Sequence, residues 1–229
     1  MSSSDAADEI DALRDRLGRR FRTVESVIVV DDRELSLLHP ESADELIDEA
    51  DFERDERLPY WADIWPSARI LASYVARLDG RRRSLLELGC GAGLVATAAA
   101  LAGFRVCATD YYEDALQFTT VNVAEHTGKI PETRLVDWRA LPTDLGRFDL
   151  VVGSDVLYER AYGQLVARAV DITLTRKGEA VIADPGRIAA EEFVRDAAER
   201  GLRLIAHEQV PYVDGAIRQT ISLYRLGRG

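Results

Sequence analysis

The sequence predicts an α/β domain built on a mostly parallel sheet with helices on both faces. Three observations predict it: five short apolar runs alternate with helical stretches from residue 84 onward, a glycine loop follows the first run, and two strand-like runs at the end break the alternation. Alternating strand and helix signals suit parallel strands joined by helices, whereas the last two runs suit an antiparallel hairpin.

In chain order, Ile10, Leu13 and Leu17 recur at helical spacing and predict a short amphipathic helix ahead of a strand over Thr23–Val30. With the acidic stretch from Glu41 to Glu56, these make an N-terminal appendage over 1–57, and the main domain follows over 58–229. The segment Leu58-Pro-Tyr-Trp-Ala-Asp-Ile-Trp-Pro66 leads into a helix over Ser67–Leu78, begun by Pro66 and Ser67. Strands are expected at about 84–88, 104–109, 133–136, 148–153 and 179–183. Helices are expected between and after them, at about 93–102, 112–126, 161–175 and 188–200. The closing runs Arg203–Val210 and Gln219–Leu226 are joined by Pro211-Tyr-Val-Asp-Gly-Ala216, whose Asp-Gly suits a hairpin turn. Internal repeats and low-complexity linkers are absent from the sequence.

A chain of 229 residues has room for a full core. Its net charge of -11 and isoelectric point near 4.8 oppose broad binding to a polyanion, so no nucleic-acid partner is expected. Lysine occurs only at Lys129 and Lys177, arginine supplying the other basic residues. The two cysteines, Cys90 and Cys107, lie in the glycine loop and an apolar strand, with neither a disulfide framework nor a metal-ligand spacing. A cytoplasmic protein is expected. The uncharged apolar run Leu94–Phe104 falls well short of the ~20 residues that span a bilayer, and Met1–Glu9 is too polar and acidic for a secretory signal.

The chemistry gathers at the ends of the expected strands. Gly89, Gly91 and Gly93 let the backbone turn sharply and admit a ligand where a Cβ would collide, in front of a helix N-terminus. Asp110, closing the next strand, suits the two hydroxyls of a ribose. A dinucleotide fingerprint would place its last glycine at position 94, where the chain has Leu94. The spacing is instead E-x-G-x-G-x-G from Glu87 to Gly93, followed after the third strand by Leu135-Val-Asp-Trp138.

This pattern resembles motif I of the class I S-adenosylmethionine-dependent methyltransferases. The resemblance implies a Rossmann-like fold, a seven-stranded sheet of order 3-2-1-4-5-7-6 with the last strand antiparallel, and S-adenosyl-L-methionine as cofactor, leaving S-adenosyl-L-homocysteine. It draws the cofactor site from Trp65, Glu87, Gly89, Cys90, Gly91, Gly93, Asp110, Tyr111, Asp137, Trp138 and Ser154. The glycine loop would wrap the methionine part, Asp110 the ribose, and Asp137 the adenine amino group, with Trp138 covering the base.

Two further segments, Pro59-Tyr-Trp-Ala-Asp-Ile-Trp-Pro66 and Ser154-Asp-Val-Leu-Tyr158, look like the METTL20- and METTL21-like lysine methyltransferase group, the second matching its D-x-x-Y signature. That resemblance implies transfer to a lysine of a protein substrate. Asp155 would hold the incoming amine and Tyr158 would offer a ring face or hydroxyl to it. Plainer roles stand beside these: Ser154 and Asp155 as turn caps, Tyr158 and Trp61 as packing residues, Cys90 as a small loop filler. His126 falls near a helix end, where its charge suits the dipole, and Asp184-Pro-Gly-Arg187 is either a pocket edge or a simple turn. Two other functions share the cofactor residues: a small-molecule N-methyltransferase acting on an amine or a nicotinamide-like ring, and a non-catalytic cofactor-binding module.

Overall fold

The computed structural model describes residues 3–46 and 58–229. Its elements are α1 (Ser3–Arg20), β1 (Thr23–Val30), β2 (Arg33–Pro40), α2 (Pro66–Ala76), β3 (Ser84–Leu88), α3 (Leu94–Leu101), β4 (Arg105–Asp110) and α4 (Glu113–Thr127). There follow β5 (Glu132–Leu135), β6 (Phe148–Ser154), α5 (Tyr162–Thr173), β7 (Leu174–Asp184), α6 (Ala190–Glu199), β8 (Leu202–Asp214) and β9 (Ile217–Arg228). Seven strands form one sheet in the order β5-β4-β3-β6-β7-β9-β8, with β9 antiparallel to both its neighbours and the other pairs parallel. Counted from β3, this is the expected order 3-2-1-4-5-7-6 with a hairpin at the end.

The side-chain alternation of the central strand explains the two layers. On β3, Leu85 packs with Leu71 and Val75 of α2 and Val95 and Ala99 of α3, whereas Leu86 and Leu88 join Val166 and Val170 of α5 and Phe193 of α6. Successive residues of a strand face opposite sides, so one apolar run feeds both cores. Each such buried leucine stabilises the fold by roughly 1.5–3 kcal/mol.

The N-terminal region is a helix and a hairpin, where the sequence suggested a helix and one strand. The missed strand, β2, pairs with β1 from Thr23↔Pro40 to Val30↔Arg33. Its run Arg33-Glu-Leu-Ser-Leu-Leu-His-Pro40 alternates poorly and ends on proline, so its apolar face is hidden in the sequence. Leu35 and Leu37 pack into the α2 and α3 side of the core, while Leu38 joins Leu17 of α1 and Phe118 and Val121 of α4. Asn122 of α4 fastens this region: its Oδ1 accepts from Leu38 N, and its Nδ2 donates to the carbonyls of Leu38 and Ala92, each at 2.8 Å. Of the acidic stretch at 41–56, residues 47–56 lie outside the described residues.

Two further strand limits differ from expectation. β7 begins at Leu174, five residues early, because α5 runs directly into it through the polar Thr175-Arg-Lys-Gly178. The terminal strands extend to Asp214 and from Ile217, so Pro211, assigned above to the connecting loop, lies within β8 opposite Thr220. β8 is an edge strand of the sheet, where a residue without an N–H interrupts no second ladder.

Candidate active site

The carboxyl ends of β3, β4, β5 and β6 border a cavity of about 900 Å³, measured out to its open mouth. Its floor is the glycine loop, which is tied down by Cys90 N donating to Thr109 O and Gly93 N to Cys90 O, both at 2.9 Å. Gly91 has φ +53, and a Cβ there would lie 3.0 Å from the Trp61 carbonyl oxygen. Gly89 has φ +70 and faces Val156 and the Trp138 ring. Bare backbone therefore lines the cavity where side chains would close it.

Glu87 and Gly93 belong to the same motif but do not line this cavity. Gly93 has φ +87 and stands against α4, where a Cβ would lie 2.7 Å from Thr119 Cα, so its role is close packing of α3's start on α4. Glu87 is buried, 1% exposed, and accepts the backbone N–H of Ala96 in the first turn of α3. Its Oε2 has no partner among the described residues. Burial, with Asp110 nearby, pushes this carboxyl well above the usual carboxylate range. Both residues, expected in the cofactor site, stand behind the cradle and shape it from there.

Asp110 ends β4 in the cavity wall, its Oδ2 accepting from Gly91 N and its Oδ1 from Tyr112 N, each at 3.0 Å. With a further backbone N–H from Tyr111 on the carboxylate, acceptor capacity is left for a ligand hydroxyl. Burial raises this carboxyl above its ordinary value against the pull of those backbone donors. Tyr111 also lines the cavity, with the Arg139 guanidinium 5.9 Å from its ring centre. Asp137, expected to read an adenine amino group, does line the cavity, yet its carboxylate caps the turn Trp138–Ala140 and is gripped by the Arg139 guanidinium at 2.8–3.0 Å. Trp138 presents its ring beside Gly89 and stands edge to face with Tyr162, centroids 5.4 Å apart. Cys90 also lines the cavity, and its buried thiol, approached by the Thr119 hydroxyl at 3.2 Å, is pushed well up by burial and by Asp110 and Glu87. A bare-backbone cradle, a carboxylate with acceptor capacity to spare and aromatic faces suit a nucleoside joined to a small polar chain.

A second cavity, of about 860 Å³ to its mouth, shares Leu58, Tyr60, Trp65, Asp155 and Tyr158 with the first and adds Glu159 and Arg187. Asp155 follows β6 with φ +56, a left-handed conformation that Asp tolerates better than most residues. Its N–H donates to Ala183 O of β7 at 2.9 Å, and its buried carboxylate accepts from Arg187 Nε at 2.6 Å. Asp184 caps the turn after β7, its Oδ1 accepting from Gly186 N and Arg187 N at 2.7 Å.

Tyr158 rests edge to face against Tyr60 and Tyr162, at 5.5 and 5.0 Å, and burial pushes its phenol up so that it stays protonated. Ser154 lines the first cavity just before Asp155. Trp65 precedes α2, donates through Nε1 to Tyr60 O at 2.8 Å, and lies 5.6 Å beneath the Arg187 guanidinium. It lines both cavities, whereas Trp61, which lines the first, packs its ring among Phe21, Tyr112 and Phe118 and sets its carbonyl beside Gly91. Tyr60, Tyr162 and Glu159 escaped sequence reasoning as site residues, and the one cue to Tyr60 was its place in the aromatic segment 59–66. His126, near the end of α4, bonds through Nε2 to the Ser36 carbonyl of β2 at 2.7 Å, a cross-element contact.

Sheet order, terminal hairpin and a cavity above a glycine loop together define a class I methyltransferase fold. A solved structure of this fold, magnesium protoporphyrin IX methyltransferase from Synechocystis with bound SAM, superimposes with a TM-score of 0.59 at 17% identity, over 81% of this chain and 94% of that one. The chain belongs to the family described as lysine methyltransferase, whose sequence profile matches residues 49–196. The electron transfer flavoprotein beta subunit lysine methyltransferase of Danio rerio is 28% identical over 156 residues, 67% of this chain and 59% of that protein. Protein N-lysine methyltransferase METTL21A of Danio rerio is 36% identical over 115 residues, 45% of this chain and 50% of that protein. The chain thus spans about half the length of the curated relatives it matches.

Proposed function

We propose that this chain is an S-adenosylmethionine-dependent N-methyltransferase acting on a lysine side chain of a protein in the cytoplasm. The observation that carries the reading is the junction of the two cavities, where a buried carboxylate, Asp155, sits among the rings of Tyr60, Trp65 and Tyr158. A carboxylate beside aromatic faces is a site for an amine, before and after it gains a methyl. Tyr60 and Tyr158 are 40% and 36% exposed, so the junction is reached from the surface, as a long side chain on a macromolecule requires. The net charge of -11 favours a basic protein segment, and the named activities of the relatives point the same way. The two cysteines, both unpaired, are in keeping with a reducing compartment.

The first cavity would hold the cofactor: Gly89 and Gly91 admit it, Asp110 accepts from its ribose, and Trp138 and Tyr111 offer ring faces. When bound, S-adenosylmethionine supplies a methyl on a sulfonium, open to in-line displacement by a neutral amine. The chain's task is to align that amine about 3 Å away and keep competing water out, with little acid–base machinery. Asp155 orients the amine by accepting one of its N–H groups, the aromatic walls exclude water, and the proton lost from the ammonium passes to solvent.

The test is incubation with methyl-labelled cofactor and an extract of cells lacking the protein. Label in lysine of a macromolecule is the expected result. Label only in small molecules would favour a metabolite acceptor, and no label anywhere would favour a non-catalytic binding module. Asp155→Asn keeps size and tolerates the left-handed backbone, so it should abolish transfer while S-adenosylhomocysteine binding measured by calorimetry persists. Wild-type transfer by that variant would refute the role of Asp155.

A further inference from the structure

We propose that Arg187 is a positioning residue for the methyl acceptor: it pins Asp155 through one oxygen and, by its positive charge, makes the amine bind at the cavity junction in its neutral form. The inference rests on the reading of the site as an amine methyltransferase.

The geometry is specific. Arg187 Nε donates to Asp155 Oδ1 at 2.6 Å, and among the described residues nothing donates to Oδ2. The Asp155 side chain is 6% exposed and that of Arg187 37%, so the carboxylate is the buried partner and the guanidinium forms part of the second cavity's wall. Arg187 is held at its backbone by Asp184 Oδ1, at 2.7 Å, and its guanidinium lies 5.6 Å from the Trp65 ring centre. An acceptor that reaches the junction of the two cavities therefore meets Asp155 and Arg187 together.

The chemistry explains why this pairing is useful. A lysine amine has an ordinary pKa near 10.4, so only roughly one molecule in a few thousand is neutral at pH 7. A lone buried carboxylate would make matters worse, holding the ammonium and its proton. With a guanidinium on Oδ1 the pair carries no net charge, and Oδ2 is left to accept one N–H of a neutral amine. A cation beside the amine also disfavours its protonated form. The remaining titratable groups around the junction do not replace this effect. Asp184 lies behind Arg187 with its carboxyl raised by burial, the Tyr158 phenol is held protonated, Tyr60 supplies a ring, and Glu159 is exposed on the second cavity's rim. In the transfer itself the amine lone pair forms the new N–C bond, the C–S pair stays on sulfur, and the positive charge passes to the product ammonium.

The test compares wild type, Arg187→Gln and Arg187→Lys by the initial rate of methyl transfer into extract protein across about pH 6–10, with S-adenosylhomocysteine affinity measured for each. Arg187 does not line the first cavity, so affinity should stay within about twofold. For Arg187→Gln the acid limb of the rate profile should move up by about one pH unit or more, with a roughly tenfold loss near pH 7. Arg187→Lys, which keeps the charge, should recover most of that loss. An Arg187→Gln profile with the wild-type midpoint, whatever its height, overturns the proposal, as does a lysine variant that recovers nothing. Absence of transfer by wild type at every pH refutes the methyltransferase reading itself, a result distinct from either.

Discussion

The last two glycines of the loop, Gly91 and Gly93, should fail in different ways, and Gly93→Ala is the sharper case. Its backbone has φ +87, where an L-residue is strained by about 1–2 kcal/mol. The new Cβ would also lie 2.7 Å from Thr119 Cα, 2.8 Å from its Oγ1 and 3.0 Å from its Cβ. Backbone on both sides prevents an easy escape, so overpacking adds about 1–3 kcal/mol. The stiffer unfolded chain returns about 0.4–1 kcal/mol, which leaves a net loss of roughly 1–4.5 kcal/mol. For a chain of this length that is a fall in Tm of about 2–18 °C. Thr119 Oγ1 donates to Gly91 O at 3.0 Å, so the loop should loosen as well. Gly91→Ala differs: its Cβ meets only the Trp61 carbonyl region, at 3.0 Å, yet it sits in the cavity floor. It should lose about 1–2 kcal/mol of stability but at least roughly tenfold in S-adenosylhomocysteine affinity. Circular dichroism melts and titration calorimetry on the two variants decide the matter. A Gly93→Ala protein within about 2 °C of wild type, or one less stable than Gly91→Ala only in the presence of ligand, would refute the packing argument.

Other perturbations probe the surrounding structure. Asp110→Ala should weaken S-adenosylhomocysteine binding by about 1–3 kcal/mol, as expected for lost charge-assisted hydrogen bonds, and unchanged affinity would remove Asp110 from the ribose role. Glu87 carries a carboxyl whose folded value is raised above the ordinary 4.5 by burial, so the native state retains its proton. Its favourable contribution is full below that ordinary value and is lost as pH rises through the folded value. Glu87→Gln should accordingly be no more stable than wild type near pH 4 and more stable near pH 8, by on the order of 1–3 kcal/mol; equal differences at both would contradict the assignment. Asn122→Ala removes the buried bonds to Leu38 N, Leu38 O and Ala92 O and should cost about 2–4 kcal/mol. Amide exchange at Leu38 should then accelerate ahead of global unfolding, and uniform exchange would show that this staple is not local.

Most of the architecture was legible because period and punctuation agree. The apolar runs at 84–88 and 148–153, the glycine loop and the Asp-Gly near the end each act locally, so their sequence signals survive folding unaltered. β2 was not legible, since its burial depends on what α2 and α4 place against it. Likewise the length of β8 follows from its position at the sheet edge, which forgives Pro211. At the site, motif spacing brought Gly89, Gly91, Asp110, Asp137, Trp138, Ser154 and Asp155 to one cavity, because strand ends in a parallel sheet converge on one edge. Spacing did not separate the residues that line the cavity from those that shape it from behind, Glu87 and Gly93, for a motif records chain order and not the direction of a side chain.

By itself, then, the sequence determined the fold class, the strand that carries the glycine loop and the edge where a ligand would bind, all consequences of local periodicity and turn chemistry. Only the tertiary structure decided that Arg187, some thirty residues beyond Asp155, is its partner. Ion pairs of that kind arise between loops from different strands, and nothing in local sequence encodes which charges will meet.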